Sequence, residues 1–121
     1  MKQPIFTGVA TALVTPFRDG AVDYSVFDRL LDAQLAAGID ALVICGTTGE
    51  SATLTPAEQC ALIAHAVRYA DGRCKIIAGT GSNSTAHALE ASQTAASLGA
   101  DAVLLVTPYY NKCTQQGLIE H

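Results

Sequence analysis

Ala41-Leu-Val-Ile-Cys-Gly-Thr-Thr-Gly-Glu-Ser51 is an apolar run that passes directly into a loop of two glycines, two threonines and an acid. A short unbroken apolar run bounded by a turn reads as a strand covered on both faces, as the strands of parallel sheets are. Beyond the loop, Thr55-Pro-Ala-Glu58 has the form of a capping box with proline at the first helical position, a strong helix start. Leu62, Ile63, Ala66, Val67 and Ala70 then fall on one helical face, and Gly72 follows the end of that stripe. The segment spells strand, loop, helix.

The same order repeats on either side. Upstream, the run Val9 to Val14 is ended by Thr15-Pro16, and Ser25 is placed to cap a helix whose Phe27, Leu30, Leu31 and Leu35 share a face. Asp28 suits the first turn of that helix, and Gly38 suits its end. Downstream, Lys75-Ile-Ile-Ala78 leads into Gly79-Thr-Gly-Ser-Asn-Ser84 and a helix expected to turn Ala88, Leu89, Ala95 and Leu98 inward, with Gly99 past its end. Ala102 to Val106 leads into Thr107-Pro-Tyr-Tyr-Asn111, and Gln115 to His121 begins one more helix. Four strand–helix units predict an α/β fold with a helix-covered parallel sheet. An open doubly wound sheet and part of a (β/α)8 barrel both fit; the barrel takes about 250 residues.

Composition sets the outer limits. The chain has 121 residues, 50% hydrophobic and 15% charged, which is enough apolar surface for a core and excludes disorder. This is one domain or a piece of one. No apolar stretch is long enough to span a bilayer. A net charge of −4 argues against a nucleic-acid partner, which needs a basic face. With no basic leader, secretory core or lipidation motif in view, the expected setting is the cytoplasm. Cys45, Cys60, Cys74 and Cys113 form no Cys-x-x-Cys pair and are expected as reduced thiols. His65, His87 and His121 are too scattered to suggest a metal site.

Chemistry is sought in the loops at the carboxyl ends of the strands, where α/β folds place their ligands. Gly46 to Glu50 offers a tight turn, two adjacent hydroxyls and backbone N–H groups able to hold a carboxylate or phosphate; it also reads as a plain connection. No Lys-Ser or Lys-Thr pair follows, so it is not a nucleotide phosphate loop. Gly79-x-Gly81-x-x-Ser84 imitates a dinucleotide fingerprint, but its third glycine is serine, and Asp101 precedes a strand instead of ending one. Tyr109 and Tyr110 can serve proton transfer or pack an interface. Lys75 is expected to be solvated at the far end of the sheet and Lys112 to sit in an exposed turn. Neither looks like a desolvated Schiff-base lysine.

Four segments, Thr11-Ala-Leu-Val-Thr-Pro-Phe17, Gly46-Thr-Thr-Gly-Glu-Ser-Ala-Thr-Leu54, Ala78-Gly-Thr-Gly-Ser-Asn83 and Val106-Thr-Pro-Tyr-Tyr-Asn-Lys112, resemble the dihydrodipicolinate synthase family in order and spacing. The resemblance implies a (β/α)8 TIM barrel, of which residues 1–121 supply about the first four βα units. It implies condensation of pyruvate with aspartate semialdehyde through a lysine Schiff base in lysine and diaminopimelate biosynthesis, with no metal or organic cofactor. Carried over by position, Thr47 is a hydroxyl of a proton relay, Thr48 binds the pyruvate carboxylate, and Tyr110 crosses a dimer interface into the neighbouring site. The family also suggests a tight dimer and a tetramer.

The family's Schiff-base lysine and second relay tyrosine lie on strands beyond residue 121, so the chain alone is expected to be an inactive N-terminal half. Ser51, Ala52, Asn83, His87 and Tyr109 match a lysine feedback site. Strongly inhibited members carry glutamate at the position of His87 and histidines at those of Pro56 and Gln59, so weak or absent lysine inhibition is expected. Two alternatives remain: a pyruvate-dependent aldolase acting on sugar acids, and a non-catalytic half-barrel that serves as an interface module.

Overall fold

The computed structural model describes residues 3–121. The elements follow as β1 (Ala10–Ala12), β2 (Phe17–Arg18), β3 (Ala21–Val22), α1 (Tyr24–Ala36), β4 (Ala41–Ile44), α2 (Pro56–Ala70), β5 (Lys75–Gly79), α3 (Thr85–Ser97), β6 (Ala102–Leu104) and α4 (Gln115–Glu120), with one 3-10 turn at Ser51–Thr53. The main sheet is parallel throughout and ordered β1-β4-β5-β6. A doubly wound sheet reverses direction at a switch point and carries helices on both faces. Here each strand joins the one before it, and α1 packs on α2 and α2 on α3. That winding is the wall of a barrel.

Register explains the core. Leu42 pairs with Ile76 and Ile44 with Ala78, and all four belong to the cluster that includes Phe27 and Leu31 of α1, Leu62, Ile63 and Ala66 of α2, and Ala95 of α3. Val43 and Ile77, paired with each other at the alternate positions, lie outside that cluster. Alternation therefore turns one set of side chains to the helices and the other to the opposite face of the sheet. Both faces of β4 are covered, and all four of its residues are buried.

Several boundaries differ from the expectations. The first strand is shorter than Val9 to Val14, and the last ends at Leu104, which pairs with Gly79 at the end of β5. Val103, Leu104, Leu105 and Val106 are exposed because, among the described residues, no strand pairs with the far side of β6. The first helix is capped by Asp23, whose carboxylate accepts the Val26 N–H at 3.1 Å; Ser25 sits inside the first turn. Asp23 is fixed there by an ion pair with Arg18 at 2.8 Å. That contact comes from an unexpected hairpin, β2–β3, which turns through Asp19 and Gly20 at φ 52° and 80°. Two consecutive positive φ values are those of the turn Asp-Gly favours between short antiparallel strands.

Asp28, expected in the first turn of α1, lies beyond it and pairs instead with His65 of α2 at 2.5 Å. The signals at Thr55, Glu58 and Gly38 act as read. Thr55 and Glu58 cap each other reciprocally at the start of α2. Gly38, at φ 76°, ends α1 with paired bonds from Gly38 N–H to Leu35 and Ile39 N–H to Gln34. In α3, Ala88 and Ala95 are buried but Leu89 is 59% exposed, against the expectation that it turns inward. The alanine-rich helix has little contrast between its faces to fix its rotation. Lys75 is not simply solvated: its ammonium bonds the Asp101 carboxylate at 2.8 Å, and that carboxylate also accepts the Ile76 N–H at 2.9 Å.

Candidate active site

A cleft of about 770 Å³ opens at the carboxyl ends of β4 and β5 between the first turns of α2 and the length of α3. Its floor is built by close backbone approach. A Cβ at Gly79 would stand 2.0 Å from the Cys45 carbonyl oxygen, and one at Gly81 would stand 2.4 Å from the Val106 nitrogen. The space a dinucleotide needs beside these glycines is thus filled by the protein's own backbone, and Ser84 is used to cap α3 at His87. The fingerprint is a packing device.

The loop after β4 is tied inward. Its Gly49 N–H bonds the Gly46 carbonyl at 3.0 Å, Glu50 N–H bonds Thr47 at 3.0 Å, and Ser51 N–H bonds Gly46 at 3.3 Å. Those three N–H groups are therefore not available as an anion nest, contrary to the simplest reading of the loop. The Thr47 and Thr48 N–H groups take no backbone partner among the described residues, and both side chains are exposed. Two adjacent N–H groups with two hydroxyls form a small donor set suited to a carboxylate. Thr15, which the loop reading overlooked, holds the arrangement from beneath: its buried hydroxyl donates to the Gly49 carbonyl at 2.7 Å. Gln59 holds the far end, its Nε2 donating to the Ser51 carbonyl at 3.0 Å.

Of the candidate site residues, Thr47, Ser51, Ala52, His87 and Tyr109 line the cleft; Thr48, Asn83 and Tyr110 do not. Asn83 stands at the rim, where its Nδ2 donates to the Tyr109 carbonyl at 3.4 Å. The two tyrosines diverge. Tyr109 is half exposed over the cleft, whereas Tyr110 is 91% exposed and sits at φ 73°. Asn111 N–H bonds the Tyr109 carbonyl at 2.9 Å, which closes a γ-turn with Tyr110 at its apex. A γ-turn with positive φ at its centre is rare and strained, and non-glycine strain of this kind gathers at functional positions.

The lining carries the acids Glu50 and Glu90 and no lysine or arginine. Lys75 is engaged by Asp101, Lys112 lies exposed in the turn after Tyr110, and Lys2 is outside the described residues. The cleft can therefore bind and relay through hydroxyls, but its own lining offers no amine for covalent chemistry. Among the described residues no three His, Cys, Asp or Glu side chains converge as metal ligands would. Among the described residues no helix is long and apolar enough to cross a membrane.

Comparison with known proteins agrees with this architecture. The 4-hydroxy-tetrahydrodipicolinate synthase of Acetivibrio thermocellus is 50% identical over 121 residues, covering 100% of this chain and 41% of that protein. The crystal structure of dihydrodipicolinate synthase from Aquifex aeolicus superposes with a TM-score of 0.93 at 50% identity, over 95% of this chain and 39% of that one. The synthase of Cyanidioschyzon merolae, solved with lysine bound, gives a TM-score of 0.92 at 46% identity, over 98% and 41%. The chain thus spans about two-fifths of the length of the relatives it matches, and its four parallel strands and their helices correspond to the N-terminal part of a (β/α)8 barrel. Residues 5–121 match the dihydrodipicolinate synthetase family, to which the chain belongs.

Proposed function

We propose that the protein carrying this chain is a lyase of lysine and diaminopimelate biosynthesis that condenses pyruvate with aspartate semialdehyde through a lysine Schiff base. Residues 1–121 act as the N-terminal half of its barrel domain. The observation that carries this reading is the Thr47–Thr48 donor pair, held by Thr15 at the carboxyl end of β4 in a chain of this family. On this reading Thr48 binds the pyruvate carboxylate, and the Thr47 hydroxyl relays protons with Tyr110. The amine that forms the Schiff base comes from outside residues 1–121.

Tyr110 reaches a neighbouring subunit's site, so the working unit is at least a dimer, and a tetramer of two such dimers is the expected assembly. The exposure of Tyr110 supports this, because its ring is 91% exposed and takes no part in lining the chain's own cleft. Four unbridged cysteines suit the reducing cytoplasm. Ser51, Ala52, His87 and Tyr109 in the cleft, with Asn83 at its rim, form a site for free lysine at which inhibition is weak or absent, because His87 places no carboxylate beside the ligand's ammonium.

Borohydride reduction with pyruvate, followed by peptide mapping, tests the reading. A single pyruvate adduct on a lysine outside residues 1–121, with consumption of aspartate semialdehyde by the unreduced protein, is expected. An adduct on Lys2, Lys75 or Lys112 overturns it.

A further inference from the structure

Two thiols that the proposed chemistry does not use line the same wall of the cleft. Cys45 follows β4 in a left-handed conformation, φ 58°, and is 1% exposed. Cys60 stands in the second turn of α2 and is partly exposed. Both line the 770 Å³ cleft. The Cys45 sulfur lies 4.0 Å from the carbonyl oxygen of Gln59, the residue bonded to Cys60, so it already rests against the turn that carries the second thiol. Neither is bridged. Cys74, at the head of β5, and the exposed Cys113 do not line the cleft.

We propose that Cys45 and Cys60 are a dithiol modification site, which a low-molecular-weight disulfide of the glutathione class converts to a bridge between β4 and α2. Cys60 is the entry point, because an oxidant in the cleft reaches the more exposed sulfur first. Burial, and after it the neighbouring Cys60 thiol, pushes the Cys45 thiol up to about 12, so Cys60 and not Cys45 makes the first attack. In the first step the Cys60 thiolate attacks the oxidant, whose S–S bond breaks and releases one thiolate. Cys45 then loses its proton to solvent hydroxide and, as the thiolate, attacks the Cys60 sulfur, expelling the second thiolate; each released thiolate takes up a proton from water. The two cysteines lose two electrons and two protons, and the oxidant becomes two thiols.

The bridge would bear directly on the site loop. Cys45 precedes Gly46, and Gln59, next to Cys60, holds the Ser51 carbonyl. Oxidation therefore fastens both ends of the loop carrying Thr47 and Thr48 to one turn of helix.

The test treats the whole protein with oxidised glutathione, then denatures, alkylates and digests it with trypsin. Cys45 and Cys60 fall together on the peptide Leu30 to Arg68, apart from the other two cysteines. Expected is at least a tenfold drop in its doubly alkylated form, replaced by a peptide lighter by two hydrogens. Cleavage after Glu50 should leave the two halves of that peptide joined until dithiothreitol is added. Cys45→Ala should instead retain glutathione on Cys60. A stable glutathione adduct on Cys60 in the unsubstituted protein, or a peptide still doubly alkylated, overturns the proposal. Phenylarsine oxide gives a readout on the unsubstituted protein: one equivalent bound to this peptide supports the dithiol, and none opposes it.

Discussion

The Thr15 hydroxyl donates a 2.7 Å hydrogen bond to the carbonyl of Gly49, joining the segment after β1 to the loop after β4. Thr15 is 6% exposed, so the bond is shielded from water. Thr15→Val keeps the shape and removes the donor, leaving the Gly49 carbonyl buried without its partner. The expected loss is about 1–3 kcal/mol by urea unfolding, with Thr15→Ser close to the parent. Equal stability for the valine and serine variants would mean that the loop is held otherwise.

Tyr110 contributes little to the stability of its own chain, because its ring is 91% exposed. Tyr110→Phe should change the unfolding free energy by less than about 0.5 kcal/mol. If the phenol relays protons, turnover should fall about 100-fold or more while pyruvate adduct formation survives. Steady-state kinetics beside borohydride trapping separates the two effects.

The Lys75–Asp101 pair predicts a pH signature. Burial alone would raise the Asp101 carboxyl, but the Lys75 ammonium and the Ile76 N–H outweigh it and hold the group below its ordinary value. A depressed carboxyl stabilises the fold above its unfolded value, about 3.9, and that contribution disappears as pH falls through the lower folded value. Asp101→Asn should therefore lower the urea midpoint at pH 7, by about 1 kcal/mol in free energy. The gap to the parent should narrow below pH of about 4. A gap that widens in acid would contradict the assignment.

Gly79 and Gly46 should differ sharply as sites for alanine. A methyl at Gly79 would stand 2.0 Å from the Cys45 carbonyl oxygen, so the backbone of β5 or of the site loop must move. Gly79→Ala should cost at least about 3 kcal/mol or yield insoluble protein. At Gly46 the nearest atom is a side-chain methyl of Val43 at 3.1 Å, which a small rotation relieves. Thermal unfolding of the two variants makes the comparison.

His87 faces the cleft from the first turn of α3, where a carboxylate could meet an ammonium group. His87→Glu in the whole protein should strengthen lysine inhibition at least tenfold, equivalent to about 1.4 kcal/mol. Glu90 lines the same cleft and is the control: Glu90→Gln should leave inhibition near the parent level, and a loss there would assign the ammonium to Glu90 instead. Lysine titration of turnover reads both.

What the sequence reveals of this fold is what lies close along the chain. Thr55 and Glu58 are three residues apart, and their mutual capping follows from that spacing. The glycine end of α1 is equally local. Asp23 displaces Ser25 as a cap because Arg18, across the hairpin, fixes its carboxylate, a contact no helix pattern contains. The hairpin itself was signalled by Asp19-Gly20, a dipeptide overshadowed by the longer apolar runs on either side. At the site, Thr47, Thr48 and the tyrosine pair are conspicuous in the motifs. Thr15 is conspicuous only once β1 and β4 lie side by side. That Cys45 and Cys60 line one cleft likewise depends on how α2 packs on β4.

The agreement of strand order with chain order bears on how the protein is made. Ala41 of β4 pairs with Ala10 of β1, and Lys75 of β5 with Ala41, so every new strand adds to an edge that already exists. None of the four has to be inserted between two strands formed earlier, and each pairing joins consecutive strands of the main sheet. Parallel pairing of this kind is slow beside local helix formation, but synthesis, at about 5–20 residues per second, delivers the N-terminal units first. The sheet can grow one unit at a time as the polypeptide emerges, each strand laid on the edge left by the one before it.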